Sequence, residues 1–172
     1  MMNKLKLSSF LILFLISLNS CKVNYSFTGA SISADVNSVS IEFFKNNAPL
    51  ASPLMSAQFT EALRDIFLTQ TRLALLEKNG DLQFSGSITD YRTAPVAISS
   101  GDIATASLNR LTVTIQVNFT NKKDEKQNFE QSFTRYADFD GNSNLSAVES
   151  SLIQEINNQL VQDIFNRSVS NW

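Results

Sequence analysis

The sequence has no histidine, one cysteine, three prolines and five glycines in 172 residues. Without histidine there is no Ser-His-Asp triad, no Cys-His nucleophile pair and no His-ligated metal site, and a lone cysteine rules out an intramolecular disulfide. Five glycines exclude a collagen-like or glycine-rich fibrous chain. Charge of either sign is also scarce: 14 basic and 16 acidic residues leave a net charge of −2, which argues against duplex nucleic acid as the main partner. No Walker-type loop, dinucleotide glycine pattern or nucleophile elbow occurs. These absences leave a binding or structural role, with no enzyme activity and no cofactor expected.

What is present is 43% hydrophobic residues, 10% of the chain being aromatic, enough for one domain with a real core. The first 20 residues have a different character. Lys4 and Lys6 precede an apolar and serine run of 12 residues, 7–18, about 18 Å as a helix and short of the ~30 Å hydrocarbon core. It reads as a signal segment. Leu18, Ser20 and Cys21 follow the pattern of a bacterial lipobox, in which the cysteine becomes the lipidated first residue of the mature chain. Several acyl chains at ~0.8 kcal/mol per buried methylene anchor a protein firmly. Removing Lys4 and Lys6 leaves 12 basic against 16 acidic residues, a net charge of −4. No acidic cluster follows Cys21, so a periplasm-facing domain is expected. The organisation expected is a signal peptide over 1–20, a lipidated connector over 21–36 and one domain over 37–172.

Val39, Ile41 and Phe43 alternate with polar residues as in a half-buried strand, ended by Asn46-Asn47-Ala48-Pro49. Ser52-Pro53 starts a helix to about Gln70, with Met55, Phe59, Leu63, Ile66 and Phe67 on its apolar face and Ser56 and Thr60 among the polar residues between them. A short strand spans 73–76, closed by Asn79-Gly80. Two strands then show a clean period of two: Leu82, Phe84, Gly86, Ile88, and Leu111, Val113, Ile115, Val117, Phe119. Between these apolar positions stand only Ser, Thr, Gln and Asn. Residues 94–107 form a long connection, of a length more often functional than idle. Phe129 and Phe133 mark another strand to about Ala137, and Ser146-x-x-Glu149 makes a capping box for a last helix whose apolar stripe is Val148, Leu152, Ile156, Leu160 and Ile164. The order β-α-β-β-β-β-α implies an α+β two-layer sandwich, a mostly antiparallel sheet of four to five strands with two helices on its apolar face.

Two patterns bear on ligands. Asp138, Asp140, Asn142, Asn144, Ser146 and Glu149 have the ligand spacing of an EF-hand calcium loop, yet Ser143 stands where its sharp turn needs glycine, so a polar strand-to-helix turn is the plainer reading and no metal is expected. Lys122, Lys123 and Lys126 cluster at a turn, and Arg92 and Arg110 lie beside strands; of these Arg92, Arg110, Lys122 and Lys123 are candidates for lipid phosphate contact. The more informative feature is the neutral polar sheet face. A face open to bulk water commonly carries Lys and Glu, whereas uncharged groups hydrogen-bond without the desolvation cost of charges, which suits a wet, enclosed protein interface.

Together with the lipobox cysteine, the stretches Tyr25-Ser-Phe-Thr-Gly-Ala-Ser-Ile32, Phe43-Phe-Lys-Asn-Asn-Ala-Pro-Leu50, Phe59-Thr-Glu-Ala-Leu63, Leu108-Asn-Arg-Leu-Thr112, Gln127-Asn-Phe-Glu-Gln-Ser-Phe133, Arg135-Tyr-Ala-Asp-Phe-Asp140 and the end of the chain from Asn166 to Trp172 resemble the LptE family of lipopolysaccharide-assembly lipoproteins, in its Bacteroidetes form. The resemblance implies a non-enzymatic outer-membrane lipoprotein that plugs an LptD-type β-barrel, helps that barrel assemble and assists delivery of lipopolysaccharide. Only Cys21 carries over as a functional residue. Two rivals are a free-standing periplasmic lipoprotein binding a small hydrophobic ligand in a cavity between helices and sheet, and a calcium-dependent adhesion module.

Overall fold

The computed structural model describes residues 32–96 and 107–169. The expected signal peptide over 1–20, Cys21, the expected connector up to residue 31, the centre of the 94–107 connection and the last three residues lie outside the described residues.

In chain order the elements are β1 (Ser38–Ile41), β2 (Lys45–Asn46), α1 (Pro53–Gln70), β3 (Ala74–Leu76), β4 (Leu82–Val96), β5 (Leu108–Asn121), a 3-10 turn (Glu125–Gln127), β6 (Phe129–Asp140) and α2 (Leu145–Val169). They form the expected α+β arrangement: one six-stranded sheet, ordered β3-β1-β4-β5-β6 with β2 beside β4, and two helices. The long half, β4-β5-β6, is antiparallel. The short half is parallel, β1 with β3 and with β4, and β2 with β4. The cause is topological. Helix α1 lies between β2 and β3, and a crossover helix returns the chain to the same edge in the same direction.

Helix α1 begins where Ser52 accepts a hydrogen bond from the Leu54 amide, with proline at its first position. Its buried face includes Ser56 and Thr60 with Met55, Phe59, Leu63, Ile66 and Phe67, which corrects the placement of those two residues on the polar side. For Thr60 the reason is the break between β1 and β2, whereas the buried Ser56 hydroxyl has no hydrogen-bond partner among the described residues. Phe44 turns inward in place of Phe43, which is 55% exposed, and the freed Phe44 amide donates to the Thr60 hydroxyl at 3.1 Å, which itself donates to the Ser56 carbonyl at 2.7 Å. A buried amide without that acceptor would cost about 1–3 kcal/mol.

The core lies between sheet and helices. A chain of ring contacts joins every layer: Phe165 of α2 to Phe67 of α1, Phe67 to Phe84 of β4, Phe84 to Phe119 of β5, and Phe119 to Phe129 of β6, with centroids 4.8–5.0 Å apart. Val36 is fully buried and Ile32 packs against the core, so the fold begins inside the stretch assigned to the connector.

The joint between that entry and the sheet is made by Asp81. Its carboxylate accepts from the Asn37 amide at 2.9 Å, the Ser38 amide at 3.1 Å and the Ser38 hydroxyl at 3.0 Å, with the Lys123 ammonium 3.3 Å away. The Asn37 amide is the largest influence lowering its pKa, followed by Ser38, from the ordinary 3.8 to about 2. A carboxyl with a depressed folded pKa contributes stability that is complete above its unfolded value and lost as the pH falls through the folded one. Unfolding midpoints in urea are therefore expected to drop between about pH 4 and pH 2, and Asp81→Asn to flatten that acid limb while lowering stability at neutral pH. An unchanged acid limb in the variant would refute this assignment.

Candidate functional site

Among the described residues, both helices lie on one face of the sheet and no element covers the other. Registration of β4, β5 and β6 sets its side chains in rows: Ser85, Asn118 and Glu130; Ser87, Gln116 and Ser132; Asp90, Thr114 and Thr134; Arg92, Thr112 and Tyr136; Ala94, Arg110 and Asp138. Asn118, Thr120, Glu130, Ser132, Thr134 and Tyr136 are exposed. The expected neutral polar face is present through the first two strands, and its members pair with one another across β5 and β6. The Gln116 amide donates to Glu130 at 3.2 Å and its carbonyl accepts from the Ser132 hydroxyl, while the Thr114 and Thr134 hydroxyls are 2.9 Å apart.

Towards the end of β4 the face changes. The pairing of β4 with β5 is interrupted between Ile88 and Asp90, so Thr89 is an extra residue and the inward parity passes from Phe84 and Ile88 to Tyr91. Without the bulge Asp90 and Arg92 would point into the core. With it they join the open face and pair with each other. Beside them Arg110 grips Asp138 through two hydrogen bonds, at 2.7 and 2.8 Å, and its guanidinium lies 3.6 Å from the centre of the Tyr136 ring. The bond to Arg110 pulls the Asp138 carboxyl below its usual range, and Asp138 raises the Arg110 guanidinium. Strand β4 runs on to Val96, so residues 94–96 of the expected long connection are paired with 108–110.

The four basic candidates do not converge. Arg92 and Arg110 share the bulged end of the open face. Lys122 and Lys123 sit at the other end, where the Lys122 ammonium donates to the Asn79 carbonyl and Lys123 pairs with Asp81. Twelve residues of strand at ~3.4 Å each separate Arg110 from Lys122, about 40 Å. All four are held by partners within the chain.

The calcium-like residues disperse in the same way. Asp138 is taken by Arg110. Asp140 accepts from the Asn142 amide at 2.7 Å, and Asn144 accepts from the Ser146 amide at 3.0 Å. Asn144 is thus the cap of α2, which starts at Leu145, two residues ahead of the expected capping box. Glu149, which that box would have returned to Ser146, instead accepts from the Tyr91 hydroxyl at 2.5 Å. Burial, and secondarily that carboxylate, push the Tyr91 phenol well above its ordinary value. Among the described residues no three His, Cys, Asp or Glu side chains are grouped to hold a metal ion.

Among the described residues, the space between helices and sheet holds the chain of packed rings, where a small hydrophobic ligand would have to sit. An opening of about 390 Å³ lies along the outside of α1 and α2, lined by polar side chains such as Gln58, Asp65, Gln154 and Asn158. Sequence reasoning missed the outward residues of β6, above all Tyr136. Their period of two was readable from Phe129, Phe133 and Ala137, but Gln131 and Arg135 interrupt the apolar side; Arg135 reaches Asp163 of α2 at 2.5 and 2.8 Å.

The family model described as "LptE: Lipopolysaccharide-assembly" matches residues 36–168. Among solved structures, a hypothetical protein of Chlamydia trachomatis is similar with a TM-score of 0.52 at 9% identity, covering 79% of this chain and 99% of that one. A putative neuraminyllactose-binding hemagglutinin homolog of Helicobacter pylori is similar with a TM-score of 0.52 at 10% identity, covering 83% and 88%. An uncharacterized lipoprotein B of Nitrosomonas europaea aligns with a TM-score of 0.48 at 17% identity, covering 88% and 90%. At these identities the first two show the fold alone. No curated protein matches the chain.

Proposed function

This chain belongs to the LptE family of lipopolysaccharide-assembly proteins, which are outer-membrane lipoproteins, and from that premise we propose that it is anchored through Cys21, faces the periplasm and plugs an LptD-type β-barrel. The observation that carries this reading is the open sheet face: three long strands of polar side chains, backed by helices, with most of their hydrogen bonds and charges already paired. Enclosing such a face in another polypeptide avoids the several kcal/mol per ion that stripping water from unpaired charges costs. In this role the chain helps the barrel assemble and assists passage of lipopolysaccharide to the outer leaflet. Of the four basic candidates for lipopolysaccharide contact, Arg92 and Arg110 lie on the face assigned to the barrel with their charges already taken by Asp90 and Asp138, while Lys122 and Lys123 lie at the far end, so any contact with lipid phosphate falls to the latter pair.

Affinity purification of the tagged full-length protein from detergent-solubilised outer membranes is expected to recover a large β-barrel of the LptD type. Absence of any such barrel would overturn the reading. Cys21→Ala is expected to shift most of the protein out of the membrane fraction while the barrel is still recovered from what remains. Membrane retention undiminished by that substitution would refute Cys21 as the anchor.

A further inference from the structure

Tyr136 differs from every neighbour on the open face. It is a large aromatic side chain, 48% exposed, in a row otherwise made of Arg92 and Thr112. Its hydroxyl has no hydrogen-bond partner among the described residues, whereas the adjacent Thr134 is tied to Thr114 and Ser132 to Gln116. One side of its ring is covered by the Arg110 guanidinium at 3.6 Å, and that guanidinium is fixed by two bonds to Asp138. The ring is therefore held before any partner arrives, so little rotamer freedom remains to be lost on binding. Tyr and Arg are the side chains most enriched among residues that dominate interface energies. The surroundings also restrict what can dock. Arg92 pairs with Asp90 and Arg110 with Asp138, so the patch is electrically closed and suits an uncharged, hydrogen-bonding surface.

Resting on the plug reading above, we propose that Tyr136, positioned by Arg110, is the anchor of this face: its free ring side and hydroxyl are received by an uncharged polar pocket on the inner wall of the β-barrel. Arg110 acts through Tyr136 as a positioning residue. The residues that pair among themselves supply fit and exclude water, and contribute little individually.

The test is recovery of the barrel with tagged full-length protein from outer membranes, comparing wild type, Tyr136→Thr, Arg110→Lys and Gln154→Ala. Threonine suits a strand and matches Thr112 and Thr134 on the same face, so this variant removes the ring and spares the sheet; an unchanged melting temperature checks that. Tyr136→Thr is expected to lower barrel recovery at least tenfold. Arg110→Lys keeps the charge and loses the planar fork and the stack, and is expected to give an intermediate loss that milder salt does not rescue. Gln154→Ala, on the helix side, is expected to recover barrel like wild type. Full recovery with Tyr136→Thr overturns the anchor and leaves the plug reading standing. Equal loss in Tyr136→Thr and Gln154→Ala also overturns it, since the effect then has no site. No barrel with the wild type overturns the plug reading, and the anchor with it.

Discussion

Replacing Phe67 with alanine is expected to lower the stability of the domain by about 3–5 kcal/mol, against a total of about 5–15 kcal/mol for a domain of ordinary stability. Phe67 is fully buried and its ring is the joint of the core, 5.0 Å from Phe84 on the sheet and 5.0 Å from Phe165 on the other helix. Its removal takes the shared surface from three elements at once. Neighbouring rings cannot close the gap, because Phe84 is already held against Phe119 and Phe119 against Phe129. A fall in melting temperature of about 10–20 °C follows for a domain of this size. Phe67→Leu fills most of the space and is expected to lose much less. An alanine variant within about 1 kcal/mol of wild type would mean that the two helices are not held to the sheet through this ring.

The parts of this fold that were legible in the sequence are those where one rule acts alone. The cap at Ser52, the apolar stripe of α1 and the alternation from Leu111 to Phe119 are local patterns, and each stands where its period places it. The parts that were not legible are settled between elements. Thr89 is an ordinary strand residue by propensity, yet as the bulge it moves the inward face to Tyr91 and turns Asp90 and Arg92 outward. Thr60 has the look of a surface residue until the kink between β1 and β2 presents it with the Phe44 amide. Ser146 and Glu149 have capping-box spacing, but Asn144 caps the helix first and Tyr91 claims the glutamate. The parallel half of the sheet could have been inferred, since a helix between strands implies a crossover. The polar face was visible as composition on two strands; its third strand and its aromatic centre needed the register.

That register depends on one residue without a side chain. Gly86 lies in the first half of β4, on the helix side with Phe84 and Ile88, and a methyl group placed there would stand 2.0 Å from the Gln116 carbonyl oxygen and 2.7 Å from the Phe44 ring. Neither neighbour is free to move. The Gln116 backbone belongs to the central strand, paired on both sides. Phe44 is fully buried, packs edge-on against Phe59 and has its amide held by Thr60. Gly86→Ala must therefore either part β4 from β5 or drive Phe44 out of its pocket. Overpacking ordinarily costs about 1–3 kcal/mol, occasionally more; with a backbone atom as the obstacle, a loss of about 3 kcal/mol is expected in urea unfolding. Hydrogen exchange separates the two routes. Parting of the strands raises exchange at the amides of β4 and β5 near Val117, whereas expulsion of Phe44 raises it between β1 and α1. The first route also displaces the Gln116 side chain, which ties Glu130 to Ser132 at the middle of the open face. A variant that parts the strands should then bind the barrel less well than its stability alone explains. A loss below about 1 kcal/mol would show that β4 and β5 can slide past each other at this point, and the rigid three-stranded face would no longer follow from the packing beneath it.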